Sequence, residues 1–339
     1  MSITISEIAK LVGVSTATVS RVLNDSDLVK PETRQRVLRA LEQHDYVYNA
    51  VAGGLTKRKT ATIGLIIPTI TNPVFSLSTT GIHEAARDRG YSMLLGNTDY
   101  SYDTEFELTT LFHEKRVDGI IFTGAPGNRK SVEFMKRLQI PYLVTFELVQ
   151  DDNVSFVSFD NIKSGEMITD YLISLGHRRI GMISGLFAET SRAYNRWLGY
   201  RQSLVNHGIP YDEGLVLQRE YTTVSGRQAM KQLLRCSDPP TAVFCGNDII
   251  ASGAIAAVKE AGYRVGKDIS IAGFDDLIMF EAIEPALTSI RIPGYEMGRL
   301  GAHALIDMIE GKRAEPCHYI LETELMKRES TGPAPRRDS

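Results

Sequence analysis

Cysteine is scarce: only Cys236, Cys245 and Cys317 occur in 339 residues, and no two stand at C-x-x-C spacing. With no histidine near them at metal-ligand spacing, they read as buried free thiols of a reducing compartment, which excludes a disulfide scaffold. Glycine has no short period, and no apolar run approaches the roughly 20 residues of a membrane span, so no membrane partner is expected. The opening MSITISEIAK lacks a basic stretch followed by an apolar one, which makes the cytoplasm the expected location. Glycines at G-x-G spacing are missing, as are G-x-x-x-x-G-K-S/T, H-E-x-x-H and G-x-S-x-G. Their absence removes the signatures of dinucleotide, nucleoside-triphosphate, zinc-protease and serine-hydrolase sites. The seven histidines are dispersed. No catalytic residue, metal ligand or cofactor is expected. What remains, 43% hydrophobic and 23% charged residues, is a globular composition at a length suited to two or three domains.

The net charge of −3 hides an uneven distribution. Nine of the 38 basic and six of the 41 acidic residues precede Ala61, so a head of charge +3 is followed by a body of −6. Such asymmetry points to a nucleic-acid-binding head. Within it, Thr4 or Ser6 can cap a helix carrying Ile5, Ile8, Ala9 and Val12 on one side, ended by Gly13. Ser15 can cap a second helix whose apolar face is Val14, Val19, Val22 and Leu23, leaving Thr16, Ala17, Thr18 and Arg21 for solvent or a partner. A third helix begins near Pro31 and runs through Val37, Leu38 and Leu41. This order fits a helix-turn-helix, whose second helix can enter a DNA major groove, or an ordinary three-helix subdomain.

The residues themselves go beyond periodicity. Ile5 to Asn24, Val29 to Arg36 and Tyr46-Val47-Tyr48-Asn49 closely resemble the LacI/GalR family of bacterial transcription regulators, and the resemblance continues almost to the C-terminus. It implies that Thr16, Ala17 and Arg21 read bases, with Ser15, Thr18, Ser20 and Asn24 on the DNA backbone; Thr4, Asn49 and Ala52 complete the contact set. Arg can chelate a guanine edge, Thr and Ala can meet a thymine methyl, and hydroxyls bond phosphates. Residues 49–60 match the family's hinge, which becomes helical on DNA and pushes a leucine, here Leu55, into a minor-groove step. Gly53 and Gly54 depart from that pattern by weakening the helix.

From Ala61 onward, β-rich runs alternate with helical segments. Strands are expected at Thr62 to Pro68, Tyr91 to Gly96, Gly119 to Thr123, Tyr142 to Phe146, Ser155 to Phe159, Arg179 to Ser184, Ala242 to Cys245 and Ile269 to Phe274. The pattern restarts after Asp160, which predicts two α/β lobes with doubly wound parallel sheets and a cleft. The resemblance implies a periplasmic-binding-protein-like body with crossovers near Asp160, Ser289 and Cys317. The expected division is a DNA-binding domain at 1–48, the hinge at 49–60, an effector-binding and dimerisation domain at 61–332, and a tail at 333–339. Lobe 1 would hold 61–159 and 290–317, lobe 2 160–289 and 318–332.

In open parallel sheets, ligands sit beyond the C-terminal ends of the strands. That rule selects Thr69 to Phe75, Gly124, Glu147, Leu186 to Arg196, Asn247-Asp248 and Asp275-Asp276. Asp275 suits the hydroxyls of a ligand and Asp276 a helix cap; Asn247 suits a sugar and Asp248 a cap. Arg192 and Arg196, four residues apart, share a helix face and repel unless an acid or a ligand lies between them. The resemblance implies effector contacts at Arg196, Phe75 and Tyr221, and an acidic effector position close to Glu147. Arg192 departs from the family pattern, and favours an anionic ligand such as a sugar acid or a surface ion pair. The expected protein is a repressor of carbohydrate or sugar-acid catabolic genes. Its expected partners are palindromic double-stranded operator DNA, a small sugar-like effector and a second copy of itself, as a homodimer or within a tetramer. A corepressor-dependent regulator and a stand-alone sugar-binding protein are the alternatives.

Overall fold

A computed structural model describes residues 3–23, 28–44, 46 and 59–336, and the chain divides into two compact units, Met1–Thr60 and Ala61–Ser339. In the first unit, α1 (Ile5–Val12), α2 (Thr16–Leu23) and α3 (Pro31–Gln43) surround a small core of Ile8, Ala9, Val12, Val19, Val22, Val29, Val37 and Leu41. Thr4, not Ser6, caps α1. Its hydroxyl receives the Glu7 N–H at 3.3 Å while the Glu7 carboxylate accepts the Thr4 N–H at 2.7 Å, a reciprocal capping box. Gly13 ends the helix at φ +70°, a left-handed turn that glycine adopts without a Cβ clash. Ser15 then accepts the Thr18 N–H at 3.1 Å and starts α2. Arg36 of α3 donates to the Val12 carbonyl at 2.5 Å and so satisfies a free end of α1. Leu38 is 48% exposed, because Val37 and Leu41 fill the side of α3 that meets the core.

The second unit carries two six-stranded sheets. The strands are β1 (Thr62–Ile67), β2 (Ser92–Asn97), β3 (Gly119–Thr123), β4 (Tyr142–Thr145), β5 (Ser155–Phe159), β6 (Ile180–Ser184), β7 (Val216–Gln218), β8 (Ala242–Cys245), β9 (Ser270–Asp275), β10 (Thr288–Arg291), β11 (His318–Leu321) and β12 (Glu324–Met326). The first sheet runs β11-β5-β4-β3-β1-β2 and is parallel throughout. The second runs β12-β10-β9-β8-β6-β7, parallel except for β12, which pairs antiparallel to β10. Strands β3, β5, β6, β8 and β9 are buried along their whole length, as parallel strands covered on both faces must be.

The helices of this unit are α4 (Val74–Asp88), α5 (Tyr102–Glu114), α6 (Arg129–Leu138), α7 (Asn161–Ser174), α8 (Ser191–Asn206), α9 (Thr223–Leu234), α10 (Asp248–Glu260) and α11 (Gly294–Glu310). The chain leaves the first sheet at Asp160, as expected. The other two crossovers lie later than Ser289 and Cys317. Strand β10 stays in the second sheet through Arg291, and β11 pairs with β5 in the first sheet through Leu321, so the last crossing falls at Glu322-Thr323. Residues 318–321 therefore belong to lobe 1. Strands β7 and β12, three residues each, carry too little alternation to be read from sequence.

Glycines set how closely the helices pair. A Cβ on Gly81 of α4 would collide with the Tyr295 carbonyl of α11, and one on Gly298 of α11 with the Ser78 carbonyl of α4. The same reciprocal contact joins α7 to α8 through Gly165 and Gly199, and α9 to α10 through Gly226 and Gly253. These glycines lower helix propensity while permitting the contact that replaces it. Gly298→Ala should cost about 1–3 kcal/mol, since backbone cannot yield as a side-chain tip can. Urea unfolding would measure it; an unchanged midpoint would mean that α4 and α11 can separate freely.

Candidate functional site

On the head, α2 buries Val19 and Val22 and leaves Thr16, Ala17 and Arg21 exposed. Thr18 is half-buried, with its hydroxyl 2.9 Å from that of Ser15. Ser20 is half-buried beside them. Thr4 is exposed, and its hydroxyl also donates to Glu7 at 2.8 Å. The first turn of α2 has no acidic residue, so nothing there opposes a phosphate. Asn24, Asn49, Ala52 and Leu55 lie outside the described residues.

In the body, strand ends and helix starts from both lobes converge on one pocket lined by Phe75, Arg192, Arg196, Tyr221, Asn247 and Asp275, together with Asn72, Tyr100, Phe146 and Thr190. Glu147 lies outside this inner pocket. It lines an adjoining cavity of about 240 Å³ that shares Tyr100, Thr190 and Arg192 with it. There the Glu147 carboxylate accepts the Ala125 N–H at 2.9 Å and the Ser191 hydroxyl, so it bridges the lobes.

Arg196 is buried and held through two of its nitrogens. It donates to Asn161 Oδ1 at 2.9 Å and to the Gly246 carbonyl at 2.6 Å, and its Cζ lies 3.7 Å from the centre of the Phe274 ring. Burial lowers its pKa from the usual arginine value, and the nearby Asp275 charge opposes that shift. Arg192 is also buried, which removes the surface ion pair as a reading. Among the described residues it donates to Thr190 Oγ1 at 3.3 Å and the Thr123 carbonyl at 3.4 Å, with the rings of Phe75 and Phe146 5.7 and 5.9 Å away. Phe75 and Phe146 meet edge to face at 5.4 Å.

Asp275 ends β9 at φ +107°, a conformation unusual for any residue with a side chain. It is 7% exposed, and its carboxylate forms no hydrogen bond or ion pair among the described residues. Burial pushes its pKa up to about 7, against the pull of Arg196 and then Arg192. Asn247 is the N-cap of α10, accepting the Ile250 N–H at 2.9 Å, and its buried Nδ2 has no partner among the described residues.

Two expected caps are corrected. Asp248 does not cap α10: its buried carboxylate accepts the Ser289 hydroxyl at 2.6 Å and the Leu277 N–H at 2.7 Å, and burial raises its pKa well above the usual range. Asp276 caps nothing either, because Arg291 and Arg328 hold it at 2.7 and 2.6 Å. Sequence reasoning missed Tyr100, Phe146 and Asn161. The strand-end rule applied to β2 would have reached Tyr100, whose pKa burial pushes up to about 12.

The raised Asp275 value has a thermodynamic sign. Between about pH 4 and about pH 7 the native chain keeps a proton that the unfolded chain has released, so this group's contribution to stability falls across that window and is constant above it. Without ligand, Asp275→Asn should therefore gain melting temperature relative to the unsubstituted chain between about pH 5 and about pH 8. Parallel melting curves would put the carboxyl in the ordinary range.

Comparison with known proteins gives these two regions their context. Residues 4–49 match the family model of bacterial regulatory proteins, lacI family, and residues 169–331 that of a periplasmic binding protein-like domain. Catabolite control protein A of Priestia megaterium is 33% identical over 98% of this chain and 100% of its own length. The repressor CytR of Escherichia coli is 34% identical over 98% and 97%. Among solved structures, the CelR–cellobiose complex aligns at 34% identity with a TM-score of 0.74, over 97% of this chain and 99% of that one. The lac repressor dimer bound to operator and the anti-inducer ONPF aligns at 25% identity with a TM-score of 0.88, over 98% and 100%. Relatives at this identity over nearly the whole length, with head and body each falling on its own family model, make this chain a member of the lacI family: a DNA-binding transcription regulator and not an enzyme.

Proposed function

We propose that the protein is a dimeric repressor of carbohydrate-catabolic genes that binds a palindromic operator and responds to a small polyhydroxylated effector. The observation that carries the effector reading is the buried pair at the floor of the pocket: the Asp275 carboxylate and Asn247 Nδ2 lack partners among the described residues. A carboxylate there accepts from two neighbouring hydroxyls, and the amide donates to a third oxygen. The rings of Phe75 and Tyr221 suit the apolar face of a sugar. Cellobiose on CelR, and the operator and anti-inducer on the lac repressor, support the same reading.

One short recognition helix contacts too few bases for genomic specificity, whereas two related by a two-fold axis read a palindrome. Leu94 and Leu95 on the edge strand β2, 38% and 47% exposed, support a self-association surface. In the mechanism, effector shifts the relative population of two lobe arrangements, and residues 49–60, with Leu55 as wedge, transmit that shift to the operator. The site of action is the cytoplasm, where operator and small metabolites meet.

Arg21→Ala should abolish preference for the operator over random DNA while leaving salt-sensitive nonspecific binding. Fluorescence anisotropy across a salt series reads both, and intact selectivity would remove Arg21 from base recognition. Asp275→Ala should keep operator affinity and lose at least about tenfold in effector sensitivity, the loss of a charged hydrogen-bond acceptor. A normal effector response in operator-release titrations would move the effector elsewhere.

A further inference from the structure

We infer that the effector carries a carboxylate, received by the guanidinium of Arg192 and the hydroxyl of Thr123. The inference rests on the carbohydrate-pocket reading and adds a second pole to the ligand. Asp275 and Asn247 make one end of the pocket. Arg192 and Thr123 make the other, along the cavity of about 240 Å³ that opens from it.

Four observations carry this. Arg192 is 8% exposed yet has no ion pair among the described residues, and its two hydrogen bonds are long, at 3.3 and 3.4 Å. A buried guanidinium without a counter-ion is strongly unfavourable, and an anionic ligand group removes that penalty. Second, Thr123 Oγ1 is buried at the end of β3 with no partner among the described residues, and it lines the same cavity as Arg192. Third, of the three acids that line this cavity, Glu147 is held by the Ala125 N–H and the Ser191 hydroxyl, Glu105 by the Gly127 and Asn128 N–H groups, and Glu189 is exposed to solvent. Fourth, Gly124 keeps space open next to the cation, where a Cβ would stand 3.3 Å from Arg192 Nη1 and 3.7 Å from Glu147 Oε2.

Arg196 does not compete for the role, since it lines the inner pocket and not the cavity that holds Thr123, and its Nε and Nη1 are bonded to Asn161 and the Gly246 carbonyl. The Nη2 of Arg192, which has no hydrogen bond among the described residues, and the Thr123 hydroxyl together match the two oxygens of a planar carboxylate. A phosphate, with close to two charges and three acceptor oxygens, would need more donors than this end supplies. The effector class is therefore a sugar acid.

The test compares ligands that differ only in this group, using the full chain. D-gluconate, D-glucuronate and D-galacturonate are titrated beside D-glucitol, D-glucose and D-galactose and the corresponding sugar phosphates, by thermal shift and calorimetry. At least one acid should bind about tenfold or more tightly than its neutral counterpart, the scale of one charged hydrogen-bonded contact. That preference should vanish in Arg192→Gln and persist in part in Arg192→Lys, which keeps the charge. A neutral sugar or a sugar phosphate preferred to its acid would overturn the carboxylate while leaving the carbohydrate reading standing. An acid preference unchanged in Arg192→Gln would also overturn the assignment. Absence of any binding across the panel would overturn the carbohydrate reading itself, and this inference with it.

Discussion

The guanidinium of Arg196 is the contact on which the architecture of the body turns. It fastens α8 to Asn161, the first residue of α7 after the crossover, and to the Gly246 carbonyl beyond β8, and it stacks on Phe274 of β9. Asn161 passes the connection on: its Nδ2 donates to the Phe146 carbonyl at 3.1 Å, and the Phe146 N–H points at Met297 Sδ of α11. One buried cation thus links strand ends of the second sheet to those of the first. Hydrogen bonds of this kind are directional, so the relay fixes the geometry of the cleft as well as its closure.

Around that contact, the pocket leaves its two other charged side chains without ion-pair partners of their own. Asp275 and Arg192 are buried, oppositely charged and free of direct pairing among the described residues. A protein tolerates such an arrangement where a ligand completes it. The helix pairs tightened by glycine keep the surrounding shell rigid, so the incompleteness is confined to the cavity.

Much of this was legible in the sequence. The head follows from contacts spanning three to five residues, such as Thr4 with Glu7 and Ser15 with Thr18, and local chemistry of that range is visible in a string of letters. Rules on strand ends likewise selected Phe75, Arg196, Asn247 and Asp275, which the pocket brings together. Helix α11 has weak intrinsic propensity because of Gly294, Gly298 and Gly301, and its stability comes from packing on α4.

By itself, then, the sequence determined the family, the two-module organisation and the segments from which the pocket is drawn. Tertiary structure alone decided the roles of adjacent residues. Asn247 caps α10 while Asp248 is drawn inward by Leu277 and Ser289; Asp275 faces the pocket while Asp276 is taken by Arg291 and Arg328. The choices at Asp248 and Asp276 depend on partners 15 to 52 residues away along the chain. A carboxylate goes where distant donors and the local backbone angle meet it, and neither is present in the residue or its neighbours.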